Sequence, residues 1–280
     1  MPIESSVGDE RTGEIQRRFQ ALHRTGCFVL PNPWDVGSAR LLVGLGFQAL
    51  ATTSSGFAWS TGRRDNHITV DDALAHLHVM ASSVDVPVNA DFEGGFAIAP
   101  AGVAANVSRA ADTGIAGLSI EDSSGDANAP LFSFALSVER VAAARDALDR
   151  RRPGVILTAR TEGFIVGRPD LDETLRRLTA YAEAGADCLY APGIRTPEQI
   201  SAVVRAVAPK PVNVLVGGPF TTVEQLAALG VRRISVGGAL ARAAWGGFLS
   251  AAREIAQQGT FDSLSSAVPF VAINGMFEER

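Results

Sequence analysis

Acidic residues cluster at three places along the chain, and their spacing suits cation chemistry. The first is Val88-Asn89-Ala90-Asp91-Phe92-Glu93-Gly94-Gly95. In an extended strand alternate side chains share a face, so Asn89, Asp91 and Glu93 point to one side. The second is Ile120-Glu121-Asp122, and the third is Gly62-Arg63-Arg64-Asp65-Asn66. Carboxylates brought together repel unless they are protonated or bridged by a cation. Oxygen ligands of this kind suit Mg2+, which accepts few direct carboxylates and keeps several waters. A blander reading has the same acids capping helices or pairing with arginine.

Other residues could hold a small anion. Arg160 closes the apolar run Leu157-Thr158-Ala159-Arg160 and is followed by Thr161-Glu162. An arginine at the end of a buried strand needs an anion or a fork of acceptors. It can bind a substrate carboxylate through two parallel hydrogen bonds, or pair structurally with Glu162 or Glu121. Thr53-Ser54-Ser55-Gly56-Phe57 reads as a loop of small residues whose backbone N–H groups can face an anion. Asn213 and Tyr190 are further polar candidates, or core residues with satisfied polar tips. Gly217-Gly218 and Gly237-Gly238 each end an apolar run, and glycines there permit either phosphate binding or tight turns.

What is missing narrows the chemistry. Lys210 is the only lysine and lies between two prolines, so no nucleophile for Schiff-base chemistry is available at the acidic cluster. No G-x-x-x-x-G-K-[ST] occurs. His76 and His78 are two apart on a helical segment and face different ways. With 25 basic and 30 acidic residues the formal charge is −5, which offers no footprint for nucleic acid. The two cysteines, Cys27 and Cys188, lie in apolar runs and read as buried thiols. Met1-Pro2-Ile3-Glu4-Ser5-Ser6 lacks an apolar signal core, and no apolar run reaches the ~20 residues of a membrane span. The expectation is a cytoplasmic protein without a membrane partner.

The elements that would position these residues repeat along the chain. Short β-rich runs alternate with segments of helical period. The runs are 27–31, 48–53, 86–91, 117–121, 155–160, 187–191, 212–216 and 232–236. Helical segments fall at 11–25, 36–45, 70–83, 103–113, 138–150, 171–184, 197–207, 222–229 and 240–258. Gly46, Gly114, Gly185 and Gly230 each sit where a helix should end. Asp170 with Glu173 three residues on resembles a capping box, and Thr196-Pro197 reads as a helix start. Eight strands alternating with helices must pair in parallel. With 280 residues, the expected architecture is one (β/α)8 TIM barrel with its site at the C-terminal strand ends. An open doubly wound sheet would need a glycine fingerprint after its first strand; the turn reads Pro31-Asn32-Pro33-Trp34-Asp35 instead. Residues 1–12 read as flexible. Residues 259–280 carry Phe261, Phe270 and Phe277 and read as an extension at a subunit interface.

In chain order Ser55-Gly56-Phe57, Gly62-Arg63-Arg64-Asp65-Asn66, Asn89-Ala90-Asp91, Ile120-Glu121-Asp122, Ala159-Arg160 and the stretch 226–243 resemble the isocitrate lyase/phosphoenolpyruvate mutase superfamily. The resemblance spans roughly residues 15–250. It implies a barrel whose C-terminal helix is swapped between subunits of a homodimer or homotetramer. It implies Mg2+ or Mn2+ and a small-molecule carboxylate or 2-oxo acid substrate. By motif, Asp65, Asp91 and Glu121 fall on metal-site carboxylates, with Asn89 and Glu93 as neighbouring candidates. Ser55, Gly56 and Phe57 fall on the substrate carboxylate loop, and Arg160 on its cationic partner. The same resemblance gives Asp65, Glu121 and Arg160 the catalytic roles.

The sequence departs from that pattern in two places. Asn89 stands where members often have Asp. The segment Asp122-Ser123-Ser124-Gly125-Asp126-Ala127-Asn128-Ala129-Pro130 has neither the lyases' Lys-Cys-Gly-His nor the mutases' lysine. The expected function is therefore Mg2+-dependent C–C cleavage or decarboxylation of a small 2-oxo or hydroxy dicarboxylate such as oxaloacetate, through a metal-stabilised enolate. Decarboxylation reaches the enolate without a general acid. P–C chemistry on phosphonopyruvate or phosphoenolpyruvate is the nearest alternative. A barrel that binds 2-oxo acids without turnover is another, and a phosphosugar isomerase-like barrel rests on the two Gly-Gly pairs alone.

Overall fold

The computed structural model describes residues 3–277, with side chains from residue 10 onward. Eight parallel strands form its centre: β1 (Phe28–Leu30), β2 (Leu50–Ala51), β3 (Val88–Asp91), β4 (Gly117–Glu121), β5 (Ile156–Arg160), β6 (Cys188–Tyr190), β7 (Val212–Leu215) and β8 (Arg233–Ser235). Their order is β1-β8-β7-β6-β5-β4-β3-β2. The ladder leaves β1 and β2 as neighbours without a strand pairing. One backbone bond closes that seam, from Ala51 N–H to the Pro31 carbonyl at 3.0 Å. Buried Asn32 reinforces it: Nδ2 donates to Thr52 O at 2.9 Å, and Oδ1 accepts from the Val236 and Gly237 amides at 2.9 and 2.8 Å. The fold is a (β/α)8 barrel, as the alternation of short strands and helices requires.

The helices are α1 (Ile3–Leu22), α2 (Val36–Gly44), α3 (Ser54–Ser60), α4 (Val70–Ser82), α5 (Pro100–Ala111), α6 (Phe134–Arg151), α7 (Leu171–Glu183), α8 (Pro197–Val207), α9 (Val223–Ala228), α10 (Ala239–Gln258) and α11 (Phe270–Gly275), with a 3-10 turn at Asp262–Ser266. Gly46, Gly114, Gly185 and Gly230 all take positive φ, so each helix ends where only glycine turns without strain. Reciprocal capping boxes start α2 (Asp35/Ser38), α4 (Thr69/Asp72), α8 (Thr196/Gln199) and α9 (Thr222/Gln225). At α7 only half the expected box forms. Asp170 accepts from the Glu173 amide at 3.0 Å, while the Glu173 carboxylate pairs with Arg176 and Arg177.

Three local readings are corrected. Helix α1 starts at Ile3 and not at residue 11; Met1 and Pro2 lie outside the described residues. Residues 54–60 are the helix α3 and not a loop. Their small, polar composition hides a helix that tertiary packing supplies. Cys27 is only half-buried, whereas Cys188 is fully buried.

The main core lies between the sheet and α4–α9, with Phe92, Leu118, Leu148, Leu157, Leu189 and Val214 at its centre. Among the described residues no helix is long and apolar enough to cross a membrane. The far half of α10 and the C-terminal extension are different. Phe248, Phe261, Phe270 and Val271 are 60%, 62%, 78% and 81% exposed, which leaves an apolar face uncovered by the rest of the chain.

Candidate active site

Parallel register does the positioning. Glu121 pairs with Arg160 across β4–β5, and Arg160 with Tyr190 across β5–β6, so the three side chains stand in a row at the C-terminal mouth. A cavity of about 340 Å³ opens there. Asp65, Asp91, Glu121, Arg160, Glu162 and Tyr190 are among its walls.

Arg160 is the hub. Its Nη1 donates to Asp91 Oδ1 at 2.8 Å, and Nη2 lies 3.0 Å from Glu121 Oε2 and 2.9 Å from Glu162 Oε1. Nε also donates to Glu162 Oε1, at 3.0 Å. The guanidinium stands 5.2 Å from the Tyr190 ring centroid. Asp91 Oδ2 accepts from both the amide and the hydroxyl of Ser54 at 3.0 Å. Asp91's own amide donates to Thr52 Oγ1 at 2.9 Å. Both expected pairings of Arg160, to Glu121 and to Glu162, are therefore present.

The carboxyls outnumber what Arg160 neutralises. Burial, then the charge of Asp91, raises the Asp65 carboxyl. Burial, with Asp91 and Asp65 adding to it, pushes Glu93 up to about 8. Glu121 and Glu162 are raised mainly by burial, against the pull of Arg160. Burial opposes the Arg160 charge, but Glu162, Glu121 and Asp91 outweigh it and hold its pKa high. Burial pushes Tyr190 up to about 12. Protons or a cation must relieve such a cluster.

The donor set fits a hard divalent cation. Asp65, Asp91, Glu93 and Glu121 offer oxygen alone, and buried Glu93 Oε1 has no hydrogen-bond partner in the protein. Among the described residues no three such side chains stand close enough to hold an ion unaided. Mg2+ takes one or two direct carboxylates and keeps several waters. Glu93 and Asn66 also hold φ at 46° and 61°. Such backbone strain persists only where the surroundings enforce it, and it concentrates at functional sites.

The raised carboxyls carry one expected outcome. A group whose folded pKa lies above its unfolded value binds extra protons in the native state, so native stability falls as pH rises between the two values. For Glu93 that window runs from 4.5 to about 8. A divalent cation competes with those protons, so its stabilising effect grows with pH. Millimolar Mg2+ is expected to raise the melting temperature more at pH 8.5 than at pH 5.5. An equal or smaller shift at pH 8.5 would mean that the cation does not bind these carboxyls.

The remaining candidates separate. Ser55 lines the cavity, whereas Gly56 and Phe57 face away from it. The Gly56 amide is taken by Thr53 Oγ1 at 3.4 Å and the Phe57 amide by Thr53 O at 3.0 Å. A Cβ at Gly56 would lie 2.7 Å from Thr53 Cγ2 and 2.9 Å from Trp34 Cβ, so this glycine serves close packing of α3. Asn89 is buried and turns to Arg233 Nη1 at 3.5 Å, and its Nδ2 donates to Ala90 O. Asn213 is also buried, between Arg233 Nε and Ser235 Oγ at 2.9 Å each. Both line the cavity with the carboxylates and Arg160, while their side-chain hydrogen bonds run to this interior network.

Sequence reasoning missed several partners. Arg233 is buried inside the barrel, on Asn213, Thr158, Asn89 and His23; a charged residue within a short apolar strand was its signal. Asp122 accepts from the Glu162 amide, Thr161 Oγ1, Arg177 Nη1 and Tyr181 OH at 2.7–3.1 Å, which fixes the segment that carries Glu162. Arg140 donates to the carbonyls of Gly94, Ala97 and Ile98 and so holds the loop after Glu93.

A parallel (β/α)8 barrel with acids and an arginine at its C-terminal mouth is the architecture in which barrel enzymes place their active sites. The sequence profile of phosphoenolpyruvate phosphomutase matches residues 19–256, and the chain belongs to that family, within the isocitrate lyase/phosphoenolpyruvate mutase superfamily. A solved candidate lyase/mutase from Burkholderia cenocepacia J2315 superposes with a TM-score of 0.92 at 50% identity, covering 95% of this chain and 97% of that one. The phosphoenolpyruvate phosphomutase of Streptomyces hygroscopicus is 30% identical over 92% of this chain and 85% of its own length. An oxaloacetate decarboxylase of Rhodopseudomonas palustris strain BisB5 is 31% identical over 76% of this chain and 75% of its own. The relatives of this enzyme are lyases and mutases.

Proposed function

We propose that this enzyme cleaves a C–C bond in, or decarboxylates, a small 2-oxo or 2-hydroxy dicarboxylate of the oxaloacetate type, and that it requires Mg2+ or Mn2+. The observation that carries the reading is the Arg160 hub within a cluster of buried, raised carboxyls at the barrel mouth. Asp65, Asp91, Glu93 and Glu121 would hold the cation, which supplies Lewis-acid polarisation of a 2-oxo group. The same guanidinium donors that now engage Asp91 and Glu121 match a substrate carboxylate in a two-bond grip. Holding the substrate there fixes the angle between the carboxylate plane and the scissile bond, where orientation accounts for much of the rate. Tyr190 forms one wall beside Arg160 and stays protonated at neutral pH. Ser55 also lines the cavity and offers a hydroxyl.

The Streptomyces mutase and the family profile favour a second reading, P–C chemistry on a phosphonopyruvate-like substrate. The loop 122–134 carries no lysine to support it. Pyruvate release coupled to NADH oxidation, with Mg2+ and with EDTA, distinguishes the two. Oxaloacetate is expected to give Mg2+-dependent pyruvate without phosphate. Phosphate released with pyruvate from phosphonopyruvate would favour the second reading. Silence with oxaloacetate, phosphonopyruvate, methylisocitrate and alkylated malates would leave either a substrate whose cleavage yields no pyruvate or a barrel that binds 2-oxo acids without turnover.

The uncovered apolar face on α10 and its extension supports a homodimer or homotetramer, with the C-terminal helix packed on a second copy. Phe248, Phe270 and Val271 have too little cover within their own chain to suit a monomer. Sedimentation equilibrium at micromolar concentration is expected to give a dimer or tetramer. A monomer would refute this arrangement.

A further inference from the structure

On the far side of α3 from the cavity lies a group that the proposed reaction leaves unused. The His76 ring on α4 stacks on Phe57, with 3.9 Å between centroids and an interplanar angle of 14°. Its Nε2 is buried and has no hydrogen-bond partner in the protein. A space of about 10 Å³ adjoins it, walled by Thr52, Thr53, Ser54, Phe57, His76 and Asp91 among others. That is about the smallest space that holds one water, and Thr52, Thr53, Ser54, His76 and Asp91 offer it polar partners between the apolar Phe57, Ile68, Ala73 and Leu77. Burial, partly offset by Asp35, lowers His76 to about 4. The ring is therefore neutral at pH 7, and a water can serve its Nε2 as either donor or acceptor.

We propose that His76 is a positioning residue for Asp91: its Nε2 binds a single internal water that bridges to the Ser54–Asp91 pair, while its ring props Phe57. Ser54 gives Asp91 both its amide and its hydroxyl, and Phe57 sits one helical turn further along the same short helix. The stack and the water thus act on the two ends of one lever. They set which Asp91 oxygen faces the cavity and keep Ser54 from rotating away. The consequence for cation binding rests on the reading of Asp91 given above; the water site does not.

The test uses metal-free crystals at high resolution and Mn2+ titration followed by electron paramagnetic resonance. In the wild type a water is expected within hydrogen-bond distance of His76 Nε2 and of Ser54 or Asp91. His76→Phe keeps an aromatic ring on Phe57 and removes the nitrogen. It is expected to lose the water and to bind Mn2+ about tenfold more weakly, the scale of a lost outer-shell contact. His76→Gln restores a polar group and is expected within about threefold of wild type, on the same scale. A purely structural role would lower the melting temperature of His76→Phe without changing its Mn2+ affinity. No water at Nε2 in the wild-type crystal overturns the proposal, and so does unchanged Mn2+ affinity in His76→Phe. If the phenylalanine variant fails to fold, the wild-type crystal still decides. Wild type that binds no Mn2+ would refute the functional reading instead, and the water site would then be judged on the metal-free crystal alone.

Discussion

Replacing Arg160 by methionine is expected to destabilise the metal-free protein by about 3–5 kcal/mol, the usual loss when one partner of a buried ion pair is removed. The reason is the number of charges it serves. Asp91, Glu121 and Glu162 lie within 3.0 Å of its nitrogens, with side-chain exposures of only 18, 12 and 5%. Methionine fills a similar volume, so lost packing contributes little. The carboxyls can respond by holding protons, which limits the damage in acid. The destabilisation is therefore expected to grow from pH 6 to pH 8, because deprotonation then leaves uncompensated buried charge. Mg2+ is expected to recover part of the stability, since a cation among these oxygens replaces the missing charge. It is not expected to recover turnover, which should stay at least about 10³-fold down without the carboxylate grip. Urea unfolding with and without Mg2+, beside the pyruvate assay, reads each effect. A methionine variant as stable as wild type at pH 8 would show that Arg160 is not the counter-charge of the cluster.

Asp91→Ala is expected to lower metal-dependent turnover by at least about 10³-fold, or ~4 kcal/mol in the barrier. Asp91 is the acid that joins three parts of the site: Ser54 of α3, Arg160 of β5 and the neighbouring carboxyls that its charge raises. Its removal also weakens Mn2+ binding, by more than the ten- to hundredfold of an outer-shell contact. Stability should change far less than activity, because the lost Arg160 and Ser54 contacts are offset by relief of repulsion. Losing Asp91 removes repulsion on Asp65 and Glu93, so the metal-free variant is expected to melt within a few degrees of wild type. Glu93 should then titrate lower. Wild-type rate together with wild-type Mn2+ affinity in this variant would show that the metal site lies elsewhere.

The periodicity of the chain was enough for the fold. Eight β-rich runs, each returning through a helix, admit parallel pairing, and four glycines marked helix ends that the structure confirms at positive φ. Those signals are local: side-chain period, caps and turn residues act within a few positions of one another. The acids at the ends of β3 and β4 and Arg160 at the end of β5 were legible for the same reason. A barrel strand end delivers its side chain to one known place.

What needed the tertiary structure were the relations between elements. Composition hid α3, because Ser54–Ser60 is helical only with Gly56 packed against Trp34 and Phe57 stacked on His76. Asn89 shares the strand face of Asp91 and lines the same cavity, yet its side-chain oxygen is taken by Arg233. Only the placement of β8 beside β7, with Arg233 reaching across the barrel interior, decided that. The raised carboxyl of Glu121 arises from burial and from charges tens of residues away in sequence, and that of Glu93 from burial, nearby Asp91 and distant Asp65. By itself the sequence determined which strand-end residues reach the mouth of the barrel, since that depends on strand period. The tertiary structure decided which of them meet and how strongly each is charged, since contact and desolvation depend on neighbours brought together only by folding.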